Sequence, residues 1–170
     1  MSELEAIIET IGNDITLNQT NIFNNEMIGC IAMYSVIRHL DSLSTAKAML
    51  ILPIAFHNQV VSYIGRANTE IKSIEQLLLR KPDLLANFNG RFYSLLEVSV
   101  NCIAILVALK FVSVNSEGTI NVLKDKNFIP SREKKVIGSR ASRIIDSASQ
   151  IAKLFDDHVE NLYLQLRVKL

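Results

Sequence analysis

The run Cys102-Ile103-Ala104-Ile105-Leu106-Val107-Ala108-Leu109-Lys110 leads directly into Phe111-Val112-Ser113-Val114, the turn Asn115-Ser116-Glu117-Gly118, and Thr119-Ile120-Asn121-Val122. With Phe92, Leu95, Leu96, Val98 and Val100 upstream, the first part predicts a helix from Arg91 to Lys110 that is apolar on almost every side. The second part alternates with period two about four turn residues, the pattern of a short β-hairpin. A buried helix feeding a hairpin outlines a helix-plus-wing module over Phe88–Val122. Such modules dock onto nucleic acid or onto other proteins and seldom do chemistry.

On the N-terminal side, Met27, Ile28, Ile31, Tyr34 and Ile37 lie at helical spacing and predict a helix from Asn25 to Leu40. Asp41–Ser44 reads as a turn, with Ser44 or Thr45 able to cap a helix that runs to Ile64 and stops at Gly65. Pro53 removes a backbone donor and should kink that helix or break it in two. Ser73 caps a short helix to Leu79, Pro82 opens another, and Asn87–Gly90 interrupts the chain before the apolar helix. Residues 2–11 carry Leu4, Ile7, Ile8 and Ile11 on one face, with Gly12 as a stop and the polar stretch Asn13–Asn25 as a linker.

On the C-terminal side, Lys124–Gly138 has little apolar periodicity and reads as a loop. From Ser139, the residues Ala141, Ile144, Ile145, Ala148, Ile151, Ala152, Phe155, Val159 and Leu162 trace one long amphipathic helix. Leu164, Leu166, Val168 and Leu170 then alternate with polar residues, which fits either a terminal strand or a frayed helix end. The expected fold is mainly α: a helical domain with a winged-helix-like β-hairpin and a long C-terminal amphipathic helix. Residues 1–21 form an N-terminal helix and linker, and residues 22–170 a single domain.

Hydrophobic residues make up 49% of the 170-residue chain and charged residues 21%, which excludes a disordered chain. The mean hydropathy of +0.23 is high for a small domain. It requires either a dense helical core or an apolar surface covered by a partner. The uninterrupted apolar run Cys102–Leu109 is far shorter than the ~20 residues of a bilayer span, and the acidic start (Glu3, Glu5, Glu9) is unlike a secretory leader. Cys30 and Cys102 fall on apolar helix faces and are expected to be free thiols of a cytoplasmic protein.

No catalytic or metal-binding pattern is present. His39, His57 and His158 are far apart and lack a ligand at i+3 or i+4, so the chain is expected to be non-enzymatic and to need no cofactor. Charge is the stronger signal. No Lys or Arg precedes Arg38, whereas Glu3, Glu5, Glu9, Asp14 and Glu26 do. Residues 124–143 hold Lys124, Lys126, Arg132, Lys134, Lys135, Arg140 and Arg143 against only Asp125 and Glu133. These seven are the candidate contact to DNA phosphates or to an acidic protein surface. The lone Phe128 argues against base stacking. On the apolar helix, Arg91, Ser94, Glu97 and Asn101 share a face that continues as Ala104 and Ala108. That stripe is either solvent-facing and then packed at a close helix crossing, or a docking surface for a partner.

Several pieces in order resemble one family. Leu52-Pro53-Ile54-Ala55-Phe56-His57 follows a helix that starts at Asn24-Asn25. Phe88 and Arg91 precede the apolar helix and the hairpin with Gly118. The helix 141–155 carries Lys153-Leu154-Phe155, and Leu162–Leu170 is apolar. Over residues 22–170 this order resembles the middle component of bacterial three-component ABC-ATPase systems, the group that includes Lamassu-type defence. The chain departs from the pattern at two places. It has Asn25 and Glu26 where the family usually has a proline, and Leu166-Arg167-Val168-Lys169-Leu170 where the family commonly reads Leu-Gly-Val-Arg-Pro. The resemblance implies a non-catalytic adaptor in a hetero-oligomer, placed between an SMC/Rad50-like ATPase and an effector, often a nuclease. It adds the ATPase head as a candidate target of the basic residues. Ile144, Ile151, Phe155, Leu164, Leu166, Val168 and Leu170 are the candidate core or partner contacts. The rival reading is a stand-alone winged-helix DNA-binding regulator, which needs a recognition helix with base-reading side chains near its start.

Overall fold

The structure is a computed structural model that describes residues 26–123 and 131–170. The helix expected over residues 2–11, its linker, and the candidate contacts Lys124 and Lys126 lie outside the described residues. Helix α1 is described over Glu26–Ile37. It is followed by β1 (Leu43–Ser44), α2 (Thr45–Ala48), α3 (Ile51–Ala55), α4 (Asn58–Ile64) and α5 (Ile74–Arg80). A 3-10 turn (Pro82–Leu85) leads to α6 (Phe88–Ala108), the hairpin β2 (Val112–Val114) and β3 (Thr119–Val122), α7 (Lys134–Lys153) and α8 (Val159–Gln165). The fold is mainly helical with a small antiparallel sheet and a long C-terminal helix, as the periodicities predict.

The helix expected over Thr45–Ile64 is divided into α2, α3 and α4, and the breaks do not fall at Pro53. They fall at Met49-Leu50 and Phe56-His57. Pro53 is the third residue of the buried helix α3, where its missing N–H would have had no intrahelical acceptor. His57 starts α4 by accepting a hydrogen bond at Nδ1 from Val60 N (3.3 Å), and Ser44 and Ser73 cap α2 and α5 as their positions predict. Gly65 ends α4 with an ordinary helical φ. Its role is steric, because a Cβ there would lie 2.7 Å from Ser147 Oγ on α7.

The hairpin pairs Val112 with Val122 and Val114 with Ile120. Asn115 Oδ1 accepts from both Glu117 N (3.0 Å) and Thr119 N (2.9 Å), and Gly118 supplies the positive φ. A third strand was not predicted: β1, expected as a turn, pairs Leu43 with Ile120 to give the strand order β1-β3-β2. Two residues are too few to show a period of two.

Two other expectations are corrected. The amphipathic pattern from Ala141 to Leu162 is two helices, because α7 caps at Leu154 and α8 starts after His158. Helical backbone also begins before Ser139, at Lys134, with the break at Gly138 (φ 80°, ψ 159°), a conformation accessible essentially only to glycine. The terminal alternation makes no strand. Arg167 adopts φ 54°, Val168 N donates to Tyr163 O (3.0 Å), and Arg167 N donates to Leu164 O (3.0 Å). Those paired bonds are a Schellman cap. The same cap ends α6, with Lys110 at φ 60°, Phe111 N bonded to Leu106 O and Lys110 N to Val107 O. This turns the helix directly into β2.

Candidate functional site

Helix α6 is not buried all round. Phe88, Phe92, Ser99, Cys102 and Leu106 face the core. Tyr93, Glu97, Val100, Ala104 and Val107 are exposed, at spacings of four, three, four and three residues. At 100° per residue the second stripe lies about 140° round the helix from the first. Val100 keeps 52% of its surface exposed, and Ala104 and Ala108 are exposed as well. The close crossing is elsewhere. A Cβ on Gly29 of α1 would sit 2.7 Å from Cys102 Sγ, so the backbone of α1 rests against the buried side of α6. Asn101 Nδ2 donates to Glu26 Oε1 (2.7 Å) and Cys102 Sγ to Glu26 O (3.4 Å) at that crossing.

Both cysteines are free, Cys102 buried and Cys30 half-buried. Side-chain hydrogen bonding with Cys102 lowers the Cys30 thiol from its ordinary range, while the same contact and burial push Cys102 upward. By length and composition α6 could cross a bilayer, with 21 residues and a mean hydropathy of 1.5 in its most apolar window. The count of the uninterrupted run Cys102–Leu109 did not register this, because Ser94, Glu97 and Asn101 only dilute an otherwise apolar helix.

The structure separates the basic residues that the sequence grouped. Lys134, Lys135 and Arg143 are exposed cations of α7. Arg132 Nε lies 3.9 Å from Asp146 Oδ1, with both side chains largely in solvent. Arg140 is not available to DNA: its guanidinium stacks 4.5 Å from the Phe56 ring centre, and Nη2 donates to Phe56 O (3.3 Å). It ties α7 to the end of α3. Arg91, the one cation within α6, is similarly occupied by Ala86 O (2.7 Å) and Leu84 O (3.3 Å).

The apolar candidates divide as well. Ile144, Ile151, Phe155 and Leu166 belong to the core, and Val168 packs against it half-buried. Leu164 is 76% exposed and Leu170 97%. The C-terminus is fastened to its own chain: Tyr163 OH donates to Ala46 O (2.8 Å), Lys169 N to Asn89 Oδ1 (2.9 Å), and Tyr93 OH to Lys169 O. Among the described residues, no three His, Cys, Asp or Glu side chains gather to hold a metal ion. The sequence reading missed Val100 and Val107 as surface residues. Their spacing with Tyr93, Glu97 and Ala104 was the available signal.

The family model described as ABC-three component (ABC-3C) system Middle Component 3 matches residues 15–170. The chain belongs to that family. No curated protein and no solved structure matches it. In this middle component, Arg167 stands where the pattern that the sequence resembles commonly has glycine, and its φ is 54°. The Schellman cap explains why glycine suits that place, and here the cap forms with an arginine at some conformational cost.

Proposed function

We propose that this middle component is a non-catalytic adaptor that links an SMC/Rad50-like ATPase to an effector in a cytoplasmic, Lamassu-type anti-phage or anti-plasmid complex. The observation that carries the proposal is the exposed face of α6. A helix of this hydropathy leaves Val100, Ala104, Val107 and Ala108 toward solvent, and small residues in such a stripe admit a partner's backbone closely. Membership in a multi-component system supplies a reason for such a face. The helix-then-hairpin order and the β1-β3-β2 sheet suit a winged-helix-like scaffold. Helix α6 does not suit base reading, because its one cation, Arg91, is held by backbone carbonyls. Rearrangement of the ATPase on DNA would shift the contacts this subunit makes and so release or activate the effector.

Co-expression with the products of neighbouring genes tests the proposal. Ala104→Arg should reduce partner retention at least tenfold while thermal unfolding of the free subunit stays unchanged. The proposal fails if the free protein binds duplex DNA tightly, charge reversal at Lys134, Lys135 and Arg143 abolishes that binding, and no partner co-purifies. It also fails if the wild type floats with lipid vesicles and Ala104→Arg prevents this, since the α6 face would then be a membrane surface.

A further inference from the structure

The end of α1, the middle of α7 and the segment before α7 enclose a cleft of about 140 Å³ lined by Ser35, Arg38, His39, Arg132, Ile145 and Ala148. Ser35 lines its inner end. Ser35 is only 2% exposed, and its Oγ has no hydrogen-bond partner. A serine inside a helix normally returns its hydroxyl to the carbonyl one turn earlier, and a buried hydroxyl without a partner is costly. Ile145 and Ala148 supply apolar walls with no side-chain donor or acceptor. Arg38, His39 and Arg132 form the exposed rim.

The charge around the cleft is unbalanced. Arg132 Nε lies 3.9 Å from Asp146 Oδ1, and that pair is exposed and therefore screened. The carbonyls of Tyr34, Val36 and Ile37, which would otherwise end α1 with negative partial charge, are already bonded to the N–H groups of Arg38, His39 and Leu40. Burial first, and the charges of Arg38 and Arg132 after it, hold His39 below its ordinary range. The volume exceeds the ~30 Å³ share of one water and suits a small tetrahedral ion.

We propose that this cleft binds a phosphate group. Arg38 and Arg132 are the charged clamp, His39 is a third donor when protonated, and the Ser35 hydroxyl donates from the inner end. Guanidinium forks match phosphate oxygens in charge and geometry. The group can come from a free phosphate anion or from a nucleic-acid backbone, and the chemistry is shared. Binding is linked to protonation of His39, because the anion offsets the repulsion from the two arginines. Other charged groups near His39 are Asp41 and Lys47 after α1, and Lys153 and Asp156 at the end of α7. They bring both signs and leave the arginines and the ligand to set the direction.

Proton NMR of the three histidines, titrated with inorganic phosphate at ionic strength fixed by chloride, tests the site. The His39 ring signals should shift saturably and its pKa should rise, with His158 unmoved as an internal reference. Arg38→Gln with Arg132→Gln should weaken binding at least tenfold. Ser35→Ala should weaken it severalfold while leaving unfolding without phosphate unchanged or improved, which keeps loss of fold apart from loss of site. A 12-base-pair duplex at the same ionic strength separates the sources. If the duplex produces the His39 response and phosphate displaces it, the ligand is a phosphodiester. If only phosphate moves His39, the ligand is the free anion. The proposal is overturned if neither ligand moves His39 more than His158, or if the double variant binds phosphate as the wild type does.

Discussion

Helices α6 and α7 are nearly equal in length, 21 and 20 residues, and their compositions would rank them wrongly. The more apolar α6 buries Phe88, Phe92, Ser99, Cys102 and Leu106. The more polar α7 buries Ala141, Ser142, Ile144, Ile145, Ser147, Ala148, Ile151 and Ala152. What decides burial is where the apolar residues fall around the helix. In α7 they share one side, which α3 and α4 cover. In α6 they occupy opposite sides, and α1 and α3 cover only one. The amphipathic helix is therefore the structural one, and the apolar helix has a face to spare.

The strongest challenge to this contrast is a matched pair of truncations. Ile151→Ala, at a fully buried site of α7, should cost about 2–5 kcal/mol in urea unfolding. Val100→Ala on the exposed face of α6 should stay within about 0.5 kcal/mol. Equal costs would mean that the α6 face is covered within the chain itself. At the buried side of α6, Gly29→Ala should cost about 1–3 kcal/mol by driving a methyl into Cys102 Sγ. Adding Cys102→Ala should recover much of that loss in a double-mutant cycle, whereas additive losses would show that α1 and α6 do not cross there.

A smaller effect, of opposite sign, is expected at the end of α6. Lys110 has φ 60° in the Schellman cap, so Lys110→Gly should stabilise the chain by about 1 kcal/mol, and Arg167→Gly should do likewise after α8. A loss of stability at Lys110 would show that its side chain matters more than its backbone. Smallest is the response to acid. Burial, and then the Arg91 charge of α6, hold His57 below its ordinary value, and His39 is held low as well. Each is neutral in the folded chain at a pH where the unfolded chain already binds a proton. Stability should therefore decline as pH falls below about 6.5, until the folded-state values are reached. His57→Gln should flatten part of that decline, since Nδ1 must stay unprotonated to cap α4. An unchanged slope would remove His57 from the account.

Much of the fold could be read directly. The hairpin, the Ser73 cap, the helix beginning afresh after Gly138 and the core roles of Ile144, Ile151 and Phe155 follow from turn chemistry and period. Several of the missed features share a cause: they depend on a partner distant in sequence. Leu43 and Ser44 become a strand only because β3 lies alongside them. Arg140 counted as a free cation until Phe56, 84 residues away, gave it a ring and a carbonyl. Lys110 and Arg167 hold left-handed positions that, without glycine, have no local signature. Ser35, Arg38 and His39 lie close together in sequence at the end of α1, but Arg132 joins them only in the folded chain.

By itself, the sequence determined the local choices: which segments coil, where serine or asparagine turns the chain, and that one helix has more apolar surface than a helix of a small domain needs. These follow from backbone sterics and from side chains within a few residues of one another. Only the tertiary structure decided which side of α6 is covered, which cations remain in solvent and which are held by carbonyls, and how the C-terminus is fastened to α6. Those outcomes depend on burial and on long-range hydrogen bonds, whose partners are fixed only when the helices pack.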